Sequence, residues 1–240
     1  MDRDQALADP ALISRYTQVR SDINALAARF GRAPEEIRLV AVSKTHPVES
    51  VATLFRHGQI AFGESYAQEL GEKATRLPGP EWHFIGRIQS NKLGILAKHA
   101  AWVHSIDRED HARVLDKKLE VREGTFGQGT RVKVLVLVNF GLETSKEAGA
   151  DPAHVEGLCD TIRKLPRLEL RGLMTVPPPD REVTKRVFES LAALRERLGG
   201  KTALPDLSMG MSGDLDLAIG AGSTLVRIGS SIFGQRANKA

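Results

Sequence analysis

The chain has 240 residues and a mass of 26.2 kDa, the size of one (β/α)8 barrel or of two small domains, so it can bury a sizeable core. Hydrophobic residues make up 41% and charged residues 27%, with 22 Gly and 11 Pro spread along the chain, which excludes disorder and collagen-like repeats. Its one cysteine, Cys159, excludes an internal disulfide and any paired-cysteine metal site, and points to a reducing cytoplasm; the net charge of +4 is spread over interleaved acids and bases with only 5% aromatics, so no nucleic-acid partner is expected.

The first residues are acidic and polar where a secretory signal would be basic and then apolar, and no segment has the apolar run of a membrane span. No membrane partner is expected. Asp9 and Pro10 read as an N-cap and first helical residue, after which Leu12, Ile13, Tyr16, Val19, Ile23, Leu26, Ala27 and Phe30 recur at helical spacing until Gly31. Short apolar runs then alternate with longer amphipathic stretches. The runs are residues 39–43, 59–63, 82–86, 101–106, 132–139, 168–174, 204–209 and 224–229; helices are predicted over 48–57, 66–76, 89–99, 108–122, 146–164 and 182–198.

About eight such units argue for a parallel sheet with helices outside, and in this length for closure into a single (β/α)8 TIM barrel with an extra N-terminal helix, an open doubly wound sheet being the rival. The Gly- and Pro-containing stretches at 124–129 and 177–180 read as ordinary loops, so residues 1–240 form one predicted domain.

A barrel places its chemistry at the C-terminal ends of the strands. Lys44 follows the apolar run that ends at Ser43; if Val40 and Val42 point into the barrel, Lys44 does too. A lysine in a partly desolvated barrel mouth has its ammonium disfavoured, and its free amine can attack an aldehyde to form a Schiff base. A lysine that merely runs out into solvent is the plainer alternative on position alone. The turns after the last two runs, SMGMSGD from Ser208 and RIGSS from Arg227, combine glycines that let backbone N–H groups close on an anion with hydroxyls, where barrels often bind phosphate. The Gly199-Gly200-Lys201-Thr202 stretch lacks the first glycine of a P-loop, which would fall at Arg195, and the seven histidines, His83 and His104 among them, have no metal-ligand spacing and read as structural.

A strand-end lysine with a phosphate cup after strands seven and eight describes pyridoxal 5′-phosphate held in a barrel. The segments VAVSKTHP, FGESYAQE, WHFIGRIQSNK, VHSID, VNFGLETSKEAG, LRGLMTVPP, LSMGMSGDLDLAI and GSTLVRIGSSIFGQR resemble, in order and from about Val40 to Arg236, the pyridoxal phosphate homeostasis protein family, stand-alone relatives of the alanine racemase N-terminal barrel and so of the fold-type III cofactor barrels. The resemblance places the cofactor lysine on Lys44 and the phosphate on Ser208, Gly210, Met211, Ser212, Arg227, Gly229 and Ser230. Ser65 stands where the family usually has Asn, and Asp216 where it usually has Glu.

Two functions remain in competition. The resemblance implies a cytoplasmic, non-catalytic protein that binds pyridoxal phosphate and other B6 vitamers, buffers them and passes the cofactor to apo enzymes, with a monomer as the simpler expectation. The other is a racemase or decarboxylase, which needs a second acid/base on the far face of the cofactor; of the two tyrosines, Tyr16 belongs to the leading helix and Tyr66 is expected to pack at a helix start. If Arg227 or Ser208 faces the pyridine nitrogen in place of a carboxylate, the ring stays unprotonated and is a poor electron sink.

Overall fold

A computed structural model describes residues 9–126, 131–141 and 148–235. Eight parallel strands close into a barrel in sequence order: β1 (Arg38–Val42), β2 (Ala61–Glu64), β3 (Glu81–Phe84), β4 (Trp102–Ile106), β5 (Val132–Leu137), β6 (Leu168–Met174), β7 (Asp206–Ser208) and β8 (Leu225–Ile228), with β8 pairing back to β1. The doubly wound alternative is excluded. Around it run α2 (Val48–Arg56), α3 (Ala67–Arg76), α4 (Leu93–His99), α5 (Glu109–Phe126), α6 (Val155–Arg163) and α7 (Arg181–Arg197), followed by the short helices α8 (Gly200–Ala203), α9 (Leu215–Gly220) and α10 (Ser230–Phe233).

The additional helix α1 (Pro10–Arg29) begins as its sequence predicts: the Asp9 carboxylate accepts from the Leu12 amide at 3.0 Å, Pro10 supplies the first turn, and Gly31 leaves the helix at φ +66°. It buries Leu12, Val19, Ile23 and Ala27 against α2, α9 and α10, bridging the seam where the barrel closes. The helix predicted from residue 146 is a correction. Its first two positions lie outside the described residues, Ala150 is a bridge partner of Val138, and Asp151 caps a turn by accepting from the Ala153 amide at 2.8 Å, so α6 starts only at Val155.

Two apolar layers result. Leu39, Ala41, Phe62, Val103, Val134 and Val226 face the helices, whereas Val40, Trp102, Leu135, Met174 and Leu225 fill the barrel interior. Because both faces of β1 are buried, its sequence is an unbroken apolar run, as expected for a parallel strand covered on both sides.

Candidate functional site

The interior alternation fixes the site. Val40 belongs to the interior cluster and Val42 lines a cavity at the barrel mouth, so the next inward position delivers Lys44 to that mouth, half-buried. Two adjoining cavities meet there, of about 320 Å³ and about 270 Å³, and Lys44, Ile85, Met211 and Arg227 line both. Lys44 is the one lysine, among the described residues, lining either cavity.

The backbone on both sides of Lys44 is held by a buried ionic cluster on the outer face of the sheet. Ser43 donates its hydroxyl to Glu64 Oε1 at 2.6 Å, and Lys73 Nζ of α3 donates to that same oxygen at 2.7 Å, to the Ser43 carbonyl at 2.7 Å and to Glu69 Oε1 at 2.8 Å. Glu69 in turn accepts from the Thr45 amide at 2.6 Å. Thr45 has φ +68°, a left-handed conformation that a β-branched residue adopts only under constraint, at a cost of about 1–3 kcal/mol. Glu64 is fully buried, and burial, opposed by Lys73 and the Ser43 hydroxyl, raises its pKa to about 7.

The smaller cavity has the polar end. Ser212, Gly213, Gly229 and Ser230 line it with Val42 and His46, the latter stacked on Phe233 at 5.2 Å. Gly210, at φ +99°, makes the turn into this loop; a Cβ there would stand 2.5 Å from that of Ala218, and its carbonyl accepts from the Arg227 amide at 2.9 Å, tying the β7 loop to β8. α9 and α10 are only six and four residues long, so the cup offers glycine backbone and serine hydroxyls more than a helix macrodipole. The larger cavity is mostly apolar, with Leu137, Met174, Val176 and Pro177 in its wall and Ser65, Arg87 and Asn139 as polar groups.

The predicted site residues therefore divide. Lys44, Met211, Ser212, Arg227, Gly229 and Ser230 meet at the cavities. Ser208 and Gly210 line neither: Ser208 is still within β7, fully buried, and its Oγ accepts from Arg227 Nη1 at 2.8 Å while contacting His104 Nδ1 at 2.9 Å, so it supports Arg227 from beneath. Both tyrosines lie outside the two cavities; Tyr66 is exposed at the start of α3 and Tyr16 is half-buried on α1. Asp216 pairs with Arg181 on the surface.

Gly213 belongs to the SMGMSGD turn but was not named within it, and His46 and Lys73 were given no role by sequence; Lys73 lies two helical turns into α3, where no linear motif ties it to Lys44. Arg227 is 4% exposed, has no carboxylate within ion-pairing distance among the described residues, and sits level with Val40, two inward-facing positions below Lys44. A buried guanidinium on a cavity floor, offset only by the Asp214 carboxylate beyond ion-pairing distance, favours an electron-rich ligand atom. Burial lowers its pKa to about 10, which still leaves it charged at neutral pH.

Residues 16–237 match the family model of the alanine racemase N-terminal domain. The chain belongs to that family and, within it, to the pyridoxal phosphate homeostasis proteins. It is 42% identical over 228 residues to the pyridoxal phosphate homeostasis protein of Escherichia coli strain K12, covering 91% of this chain and 94% of the relative, and 43% identical over 229 residues to that of Vibrio alginolyticus, covering 92% and 94%. Among solved structures it is similar to PipY of Synechococcus elongatus PCC7942 with pyridoxal phosphate bound, at a TM-score of 0.76 and 30% identity over 93% of this chain and 100% of that one.

Proposed function

We propose that this protein binds pyridoxal 5′-phosphate at the barrel mouth, with Lys44 holding it as a Schiff base, and serves intracellular pyridoxal phosphate homeostasis by buffering or delivering the cofactor without catalytic turnover. The observation that carries this reading is the meeting of the two cavities at Lys44 and Arg227, with the glycine and serine cup on one side. An aldehyde-bearing, phosphorylated aromatic ring needs an amine, an anion cup and a donor for its ring nitrogen, and these residues supply one of each. When bound, the cofactor supplies a reactive aldehyde.

The chain's own residues do the rest. Ser43 and Thr45, fixed through Glu64, Lys73 and Glu69, orient Lys44 into the mouth. Ser212 and Ser230 would donate hydrogen bonds to the phosphate, Gly213 and Gly229 would allow close backbone approach, and Arg227 would donate from the floor. The placement of both tyrosines away from the cavities favours holding over turnover, since racemisation needs a base on each face of the α-carbon. Cytoplasmic residence, a monomeric state, acceptance of other B6 vitamers and transient contact with apo enzymes belong to the same reading.

The test is to load the purified protein with pyridoxal phosphate and follow two assays: exchange of amino-acid α-hydrogens for deuterium, and reactivation of an apo enzyme that requires the cofactor. The reading predicts reactivation with negligible exchange. Amino-acid turnover on the order of 1 s⁻¹ or faster that vanishes in Lys44→Ala overturns it in favour of a racemase or decarboxylase.

A further inference from the structure

The barrel interior below Arg227 is crossed by a continuous line of buried polar groups from four strands. Arg227 Nη1 meets Ser208 Oγ at 2.8 Å, Ser208 Oγ meets His104 Nδ1 at 2.9 Å, His104 Nε2 meets His83 Nδ1 at 2.9 Å, and His83 Nε2 meets Glu81 Oε1 at 2.9 Å. Ser208, His104 and His83 are each 0% exposed. At the base of the barrel the same Glu81 oxygen also accepts from Arg38 Nη1 at 2.7 Å and Trp102 Nε1 at 3.0 Å.

With both rings neutral, the Glu81 end dictates every proton in between. Ser208 Oγ accepts from the Arg227 guanidinium, which can only donate, and because the Glu81 end leaves His104 Nδ1 as an acceptor, the single hydroxyl proton turns to it. His104 then carries its proton on Nε2 and gives it to His83 Nδ1; His83 carries its own on Nε2 and gives it to Glu81. An ionised carboxylate can only accept, and Glu81 is ionised: burial alone would raise its pKa, but the His83 donor and the nearby charges of Arg38 and Lys133 outweigh it and hold the group below the ordinary carboxylate value. Both rings are neutral at pH 7: burial is the largest influence on each and disfavours a second proton, Arg227 adds to it at the His104 end and Arg38 and Lys133 at the His83 end, and the Glu81 carboxylate opposes it at His83 without reversing it. The stacking of His83 on Trp102, with ring centroids 5.2 Å apart, holds its plane.

We infer that Glu81, His83, His104 and Ser208 are positioning residues forming a one-way hydrogen-bond chain, in which every proton points from the mouth to the base and Arg227 is locked as a charged donor on the cavity floor. Its other terminal nitrogen, Nη2, donates to the Thr175 carbonyl at 3.0 Å, which fixes the guanidinium plane. None of the chain's protons is available to the mouth. This inference rests on the proposed function in one respect: the ligand atom above Arg227 would be the ring nitrogen of pyridoxal phosphate. Arg227 would donate to that nitrogen while keeping its own proton, and the chain beneath would hold the guanidinium in place for it.

Two measurements test it. Long-range ¹H–¹⁵N spectra of the cofactor-free protein report histidine tautomers directly; His83 and His104 should both carry one proton, on Nε2, unchanged from pH 7 to 9. A ring protonated on Nδ1, or on both nitrogens, overturns the chain. Ser208→Ala and His104→Phe should then weaken pyridoxal phosphate retention by about tenfold or more. They should also add a protonation step to the absorbance of the bound cofactor that the unaltered protein lacks, while borohydride still traps the label on Lys44. Ser208→Ala, the smaller change, serves if His104→Phe does not fold. Variants that match the unaltered protein in both affinity and pH profile overturn the inference. Failure of the unaltered protein to take up the cofactor would instead defeat the proposed function and leave the tautomers standing.

Discussion

Replacing Lys73 by Met removes the one cation that, among the described residues, touches Glu64, while keeping a side chain of similar length. Glu64 is fully buried and already raised to about 7 with Lys73 at 2.7 Å; without that charge its carboxylate keeps only the Ser43 hydroxyl. Breaking one side of a buried pair costs about 3–5 kcal/mol. The pH dependence identifies the cause. A carboxyl whose folded pKa lies above its unfolded value contributes stability below about pH 4.5 that is lost as pH rises through the folded value of about 7. Lys73→Met raises that value further, so the full loss is expected at pH 8 and a clearly smaller one at pH 5, where Glu64 accepts a proton. Urea unfolding followed by circular dichroism at both pH values measures it. The double variant Glu64→Gln/Lys73→Met should recover most of the loss at pH 8. A loss below about 1 kcal/mol, or one equal at both pH values and not recovered in the double variant, refutes the reasoning.

The anion cup should act on affinity: Ser212→Ala and Ser230→Ala each remove one charge-assisted hydrogen bond worth about 1.5–3 kcal/mol, so equilibrium dialysis should find pyridoxal phosphate retention down by roughly ten- to a hundredfold with pyridoxal almost unaffected. A Cβ on Gly86 would stand 2.0 Å from the Ser65 carbonyl oxygen, so Gly86→Ala should force the loops after β2 and β3 apart and lower stability by about 1–3 kcal/mol, read as a shift in the urea midpoint. Cys159 is buried in α6 and its thiol is pushed up to about 11 by that burial, so a disulfide reagent should label it only after denaturant is added.

Much of the barrel was legible in the sequence because its strands are covered on both faces and read as apolar runs; the run at 168–174 matches β6 to the residue, and the other boundaries fall within about two residues. The same double burial hid which face of each strand points inward. Alternation therefore placed Lys44 at the mouth only on the condition that Val40 and Val42 face inward, and the family resemblance supplied the assignment. Ser208 and Gly210 could not be separated from Ser212, because the point at which β7 gives way to its loop depends on pairing with β6 and β8 rather than on local residues. The histidines were read as structural for want of metal spacing, and no metal-ligand cluster occurs among the described residues; that they bridge Glu81 to Ser208 depends on contacts spanning 104 residues between His104 and Ser208. The Glu64–Lys73 cluster was equally silent, since buried ion pairs follow from packing and not from motif.

Whether Lys44 is the covalent anchor for pyridoxal phosphate is decided by reducing the loaded protein with borohydride and mapping the modified peptide by mass spectrometry. One stoichiometric pyridoxyl phosphate adduct is expected on Lys44, absent from Lys44→Ala. An adduct on Lys92, Lys73 or any other lysine, with Lys44 unmodified, contradicts that assignment.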